Sequence, residues 1–423
     1  MQFVGWKDPL EVAAAIGSDH IVLLYSGTKT SYSGQYSYLA YGLREKIIAE
    51  NFSVLEAKLT RNNAWYENAW FGYFGYDLKN TLEDLPRETH DSYIALPDIC
   101  MMRFGAILRF DHDAQQVEGW SDTVDVPLAR NFSSHTIPPV KDFRSNMTNA
   151  EYRDKASLII DAIHKGDLYQ ANLTRKFYGE FDSPVDNFAL FKNLCTQSPS
   201  PYSAYIRMQD TAICSSSPEL FLRISDDGRV ETRPIKGTSP RMPDAEADRK
   251  SFESLAASQK DRAENLMITD LMRNDLARTC VAGSVTVQDM FAVTSHSNVH
   301  HMASTVRGIK KQDYSTLDII RHCFPPGSMT GAPKIKAMKL CTALEDMARG
   351  VYAGAIGFLG GTGNAEFSVV IRTIITQGTR FEFQVGGGIV ADSTPQSEMQ
   401  ETFDKAKGII NTLRIAPEVL ETL

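Results

Sequence analysis

Arg233-Pro234-Ile235-Lys236-Gly237-Thr238 places a lysine between an apolar residue and a glycine, just past a proline. Pro234 stiffens the approach, and Gly237 lets another backbone or a ligand come close. A lysine held there can lose its proton through burial or nearby cations and become a nucleophile. The plainer alternative is a loop lysine with its amine in water. Asp261 and Glu264 are three residues apart, as are Glu398 and Glu401. On a helix that spacing puts both carboxylates of a pair on one face. Mg²⁺ takes a few carboxylate oxygens and leaves positions for substrate oxygens and water; a solvated helix face is the alternative. Arg372, within Phe367 to Ile375, shares a strand face with Val370 and Ile374. A charge in so apolar a run needs a counter-anion, either an internal acid or a bound carboxylate. Gly386-Gly387-Gly388 could turn successive amides toward an anion, or could be a flexible connector.

Other chemistries are poorly supported. Gly327 to Lys334 has the look of a phosphate loop, but Lys334 follows Pro333 rather than glycine and no Ser or Thr comes next. No Ser or Cys lies in an elbow motif, so the pair His300 and His301 does not make a hydrolase. The six cysteines lie far apart without a CxxC, which reads as reduced core thiols and no zinc site.

Several elements must position these residues. Ile21 to Tyr25 and Cys100 to Phe110 read as strands, and the aromatic-glycine run Trp70 to Asp77 as core packing. Residues 131 to 142 read as a connector between an N-terminal region, 1–140, and a second region, 141–415. Thr148 to Glu151 has a capping-box pattern opening a helix that runs to Gly166. Asp167 to Thr174 is a strand with polar alternate side chains, and Pro201 to Met208, Thr211 to Ser216 and Arg229 to Thr232 are further strands. Ser239 to Asp248 reads as a polar loop. Asp261 to Arg278 and Glu398 to Leu413 are helices carrying the acidic pairs, and Ala353 to Leu359 and Glu366 to Ile375 flank a Gly-rich turn. Together these predict a large mixed α/β protein.

Across 423 residues, 43% hydrophobic and 23% charged, the net charge is −8. Such a composition fits a soluble globular protein, and no Lys/Arg run suggests nucleic acid. The longest apolar runs are too short to span a bilayer, and the N-terminal stretch lacks a signal-peptide pattern, so a cytoplasmic location is expected.

Taken together, the segments 166–174 (GDLYQANLT), 217–222 (SPELFL), 233–238 (RPIKGT), 261–275 (DRAENLMITDLMRND), 299–305 (VHHMAST), 325–334 (PPGSMTGAPK), 352–357, 367–373 (FSVVIRT) and 386–407 resemble the chorismate-utilising enzymes, in the family's order. The resemblance implies two interleaved, mainly antiparallel sheets with outer helices. Position 236 distinguishes the branches: anthranilate synthase large subunits carry alanine there. The lysine form is similar to the branch that aminates chorismate to 4-amino-4-deoxychorismate, the first step toward 4-aminobenzoate and folate. Gln170 stands where the isochorismate and salicylate branches place a lysine.

By this resemblance, Lys236 attacks C2 of chorismate and Glu219 protonates the departing C4 oxygen. Ammonia then adds at C4, expelling the lysine. Glu264 and Glu401 would hold Mg²⁺ against the C1 carboxylate, with Asp261 and Glu398 behind them. Arg372, Tyr352, Lys405 and the amides of Gly386, Gly387 and Gly388 would bind substrate carboxylates, while Gly237, Thr238 and His301 would line the ring. Ammonia implies a separate glutamine amidotransferase subunit, because no G-x-C-x-G turn is present. Some relatives hold an effector near segments resembling Ser26 and Pro201-Tyr202-Ser203; Ser33 to Tyr36 departs from their pattern.

Overall fold

The strand Ile99–Asp111 is the junction of the molecule. In this computed structural model, which describes residues 2–30, 32–86, 91–121, 136–296 and 298–423, it pairs on one side with Tyr36–Ala49. On the other side it pairs with Trp70–Phe74 and Gln116–Ser121. One arm of sheet leaves Tyr36–Ala49 through His20–Tyr25, Tyr202–Met208, Thr211–Ser217, Thr373–Gln377, Arg380–Ile389 and Gln170–Phe181. The other leaves Trp70–Phe74 through Ala355–Leu359, Ala365–Val369, Leu220–Ile224, Arg229–Arg233 and Val299–Ile309. All of these pairings are antiparallel, and the sheet does not close. The expected mixed fold with antiparallel sheets is therefore observed. Strands from residues 1–140 are hydrogen-bonded directly to strands from 141–415 in both arms.

Each arm buries an apolar face under helices. Phe177, Phe383, Ile409 and Ile410 belong to one core, and Leu222, Ile268, Met272 and Phe367 to another. Gln170–Phe181 shows how alternation was resolved. Its Ala171 and Leu173 pack against Tyr152 and Ile159 of the helix Asn149–His164. Its opposite face carries Gln170, Asn172, Thr174 and Lys176, all buried. Buried polar groups need partners: Thr174 donates to Glu345 at 2.8 Å and Lys176 pairs with Glu382 at 2.9 Å. The capping box at Thr148 and Glu151 is present.

Four expectations require correction. Ser239 to Asp248 is not a loop throughout: Ile235–Pro240 is a strand against Val299–Ile309, and Ala245–Ala257 is a helix. Of the expected connector, residues 131–135 lie outside the described residues, and Val140–Ser145 is a strand paired with Gln170–Phe181. Phe367 to Ile375 is not continuous. It breaks between Ala365–Val369 and Thr373–Gln377, where the chain crosses from one arm to the other, and Arg372 takes φ 51° there. Gly386 to Gly388 are neither nest nor connector. They extend the strand Arg380–Ile389 opposite Asn172 to Thr174, with none in the positive-φ region that a nest requires.

Candidate functional site

A cavity of about 930 Å³ opens between the two arms. Its walls include Glu219, Lys236, Thr238, Glu264, Tyr352, Arg372, Glu401 and Lys405. Residues scattered over nearly 190 positions of sequence are thus brought to one space.

Lys236 is placed by a β-bulge. The register of Ile235–Pro240 against Val299–Ile309 shifts between Ile235 and Thr238, leaving Lys236 and Gly237 out of the regular ladder. Such a bulge re-aims a side chain, and here it aims the amine into the cavity. Gly237 has φ 92°, and a Cβ there would meet Asp261 Cβ at 2.9 Å. On the facing wall, a Cβ at Gly388 would lie 3.0 Å from Lys236 Nζ and against the Gln170 amide. The glycine thus makes room for the lysine. Burial lowers the pKa of Lys236 below the usual lysine value, and Lys405 lowers it further, while Glu264, Glu219 and Glu401 oppose.

Glu219 lies just before the strand Leu220–Ile224 and is 5% exposed. Its carbonyl accepts from Val369 N at 3.1 Å, which fixes it at the cavity wall. Burial raises its carboxyl to about 7, against the opposing influence of the Ser328 hydroxyl and the Lys236 ammonium. A carboxyl in that range can give and retake a proton near neutral pH.

The acidic pairs come from two helices, Gln259–Thr279 and Pro395–Leu413, whose N-termini are capped by Ser258 and Thr394. Asp261, Glu264 and Glu401 line the cavity, and Glu398 is buried behind it. Burial raises the pKa of Glu264 and Glu398; nearby Glu401 adds to both. Burial also disfavours charge on Glu401, but Lys405 outweighs it and its pKa falls. Glu398 accepts from Ser393 Oγ at 2.6 Å through one oxygen, while its Oε2 is buried without a partner. Gly387 leaves space for that oxygen, since a Cβ would lie 2.7 Å from it. Hard carboxylate oxygens, one of them orphaned, fit Mg²⁺ rather than a thiophilic ion. Among the described residues no three His, Cys, Asp or Glu are gathered closely enough to hold a metal by themselves.

Arg372 points into the cavity with Ser198 Oγ at 3.4 Å, and among the described residues no carboxylate lies within 4.0 Å of it. The internal acid considered from the sequence is therefore not found. Burial lowers this guanidinium to about 10, so it is a buried cation in want of an anion. Lys405 lines the same cavity. Its ammonium is already engaged by Glu401 Oε1 at 2.6 Å and by the Gly386 carbonyl at 2.8 Å. Thr238 Oγ1 and His301 Nδ1 are 3.0 Å apart, and His301 is buried and held neutral by that burial and by Arg372. Lys334 is a structural lysine, bonded to Asp275 at 2.6 Å and to two carbonyls.

Further residues line the cavity that motif reading did not single out. Asn172 and Gln384 come from the polar faces of paired strands, and Asn172 lay within a quoted segment but carried no role. Ser328 was within a quoted segment but carried no role. His296 left no signal in the sequence. The effector residues also meet: Ser26 Oγ is 3.3 Å from the Pro201 carbonyl, and Ser26, Pro201, Tyr202 and Ser203 line one small space. Its free volume is about 20 Å³, room for roughly one water.

A family model described as chorismate binding enzyme matches residues 15–411. Aminodeoxychorismate synthase component 1 of Escherichia coli (strain K12) is 40% identical over 355 residues, 82% of this chain and 77% of that protein. Anthranilate synthase component 1 of Aquifex aeolicus (strain VF5) is 33% identical over 373 residues, 83% of this chain and 75% of that one. The crystal structure of anthranilate synthase component I from Streptococcus pneumoniae TIGR4 superposes with a TM-score of 0.79 at 28% identity. That match covers 90% of this chain and 93% of the other.

Proposed function

This chain belongs to the chorismate binding enzymes, and from that membership we propose that it aminates chorismate to 4-amino-4-deoxychorismate. One observation carries the reading: a lysine aimed by a bulge faces the same cavity as a buried glutamic acid with its carboxyl raised to about 7.

The Lys236 amine, unprotonated, forms a bond to C2 of chorismate. The ring double bond shifts, the C4–oxygen bond breaks, and Glu219 supplies the proton with which that oxygen leaves as water. Ammonia then bonds to C4 as the pair of electrons returns through the ring and the C2–nitrogen bond to Lys236 breaks. The lysine leaves as the neutral amine, and the surplus proton on the incoming nitrogen returns to the Glu219 carboxylate, restoring both groups. Occupation of C2 by the lysine is what directs ammonia to C4. An enzyme without that amine leaves C2 open to ammonia itself.

Glu264 and Glu401 would hold Mg²⁺, with Asp261 and Glu398 supporting them, and the ion would neutralise the C1 carboxylate. Arg372 and Tyr352 would receive the other carboxylate. Thr238 fixes the orientation of His301 beside the ring. Residues 141–415 would carry the reaction, and residues 1–140 would frame it through shared strands. Ammonia would come from a separate glutaminase component, consistent with the component 1 naming of similar proteins.

Product identification from chorismate, Mg²⁺ and ammonium tests the assignment. The expected product is 4-amino-4-deoxychorismate, which a 4-aminobenzoate-forming lyase converts further. Direct appearance of fluorescent anthranilate would contradict it.

A further inference from the structure

One end of the cavity gathers a guanidinium and two imidazoles, and among the described residues no carboxylate lies within 4.0 Å of them. Arg372 reaches it from the crossing between arms, and His301 from the strand Val299–Ile309. His296 faces the same space and is 8% exposed. Its ring stands against that of His301 with centroids 5.1 Å apart, and its Nε2 is 3.3 Å from the Thr294 hydroxyl. The backbone is pinned on both sides. The His296 amide donates to the Val299 carbonyl at 2.8 Å, and its own carbonyl accepts from Arg241 at 2.6 Å.

The groups around this imidazole come from five segments. Thr294 is on the strand Thr286–Ser295 that ends just before His296, and His300 and His301 come from the facing strand Val299–Ile309. Arg233, Arg241 and Arg372 arrive from Arg229–Arg233, from the end of Ile235–Pro240 and from the crossing. Asp248 is taken up by Arg241 at 2.9 Å and His300 at 3.1 Å. Among the described residues no carboxylate lies within 4.0 Å of His296. Burial, with Arg372, Arg233 and His300, holds it neutral. An anion placed between Arg372 and this ring would reverse the local field and offer an acceptor for a ring N–H.

We propose that His296 is a second anchor for the substrate carboxylate received by Arg372, taking up a proton from solvent as that carboxylate arrives. This inference rests on chorismate as the ligand. That carboxylate makes and breaks no bond in the reaction, so His296 holds ground state and transition state alike and acts on KM rather than kcat.

Calorimetric titration of chorismate at pH 7, with Mg²⁺ and without ammonia, in two buffers of different ionisation enthalpy counts the protons taken up. The wild-type protein is expected to take up about half a proton more than His296→Gln per chorismate bound. The variant's KM should rise about ten-fold while kcat stays within about two-fold. A melting curve superimposable on wild type shows that folding is intact; should His296→Gln melt early, His296→Asn provides the same comparison. Equal proton uptake, or an unchanged KM, overturns the inference. Failure of the wild-type protein to bind chorismate at all would instead overturn the functional reading on which it rests.

Discussion

At the scale of single residues, burial shifts the pKa of Glu219 upward and that of Lys236 downward. Glu219 is the clearer case. Its carboxyl titrates at about 7 in the folded chain and near the ordinary carboxylate value when unfolded. Its contribution to stability is therefore fully present below about pH 4.5 and is lost as pH rises through about 7. Glu219→Gln removes this pH-dependent cost. In metal-free and substrate-free protein, the variant should match wild type near pH 4.5 and exceed it by about 3 kcal/mol at pH 8. Chemical denaturation at both pH values measures this, and a constant difference would refute the burial argument. The same variant should lose amination, because an amide cannot donate a proton to the C4 oxygen. Arg372 shows what sequence leaves open at this scale. Its apolar neighbours Val370 and Ile374 called for a counter-anion, but whether an internal acid supplied it depended on which strands the tertiary fold brought near.

At the scale of elements, the bulge at Lys236 and the glycine strand opposite it make the site. Gly237→Ala places a side chain at φ 92° and within 2.9 Å of Asp261. It should cost about 1–3 kcal/mol of stability. By turning Lys236 away, it should also lower kcat/KM at least ten-fold. A melting curve and steady-state kinetics separate these, and a variant with full activity would show that the bulge does not set the lysine. Gly387→Ala crowds Glu398 Oε2 rather than Lys236. It should raise the Mg²⁺ concentration for half-maximal activity several-fold while leaving the Lys236 chemistry at saturating Mg²⁺ nearly unchanged. Much of this was legible beforehand. The capping box at Thr148, the polar alternation of Gln170 to Thr174 and the acidic pairs on helices all follow from local pattern. The bulge was not, because Lys236 to Pro240 has the composition of a turn and its strand character comes entirely from the partner Val299–Ile309. Nor was the extended form of Gly386 to Gly388, since glycine carries no side-chain periodicity and the pairing with Asn172 to Thr174 decides it. The Lys405–Glu401 contact is one turn of helix apart, an i,i+4 pair that the spacing alone allows.

At the scale of the whole molecule, the two halves of the chain share their hydrogen bonding. Residues 1–140 contribute His20–Tyr25 to the edge of Tyr202–Met208 and Trp70–Phe74 to the edge of Ala355–Leu359. Removing residues 1–140 would expose both edges and the apolar faces beside them, so the remaining chain should be insoluble or unfolded. A soluble, chorismate-binding fragment would contradict this. Among the described residues no helix is long and apolar enough to cross a membrane. The cavity between the arms is lined by residues within 172–411, on sheets that strands of residues 1–140 extend, and the proposal stands or falls on whether Lys236 bonds to the substrate there. Intact mass spectrometry of the full chain, quenched with chorismate and Mg²⁺ in the absence of ammonia, tests it most directly. The wild-type protein should gain the mass of chorismate less one water, and Lys236→Ala should gain none. An adduct that persists in Lys236→Ala would contradict it.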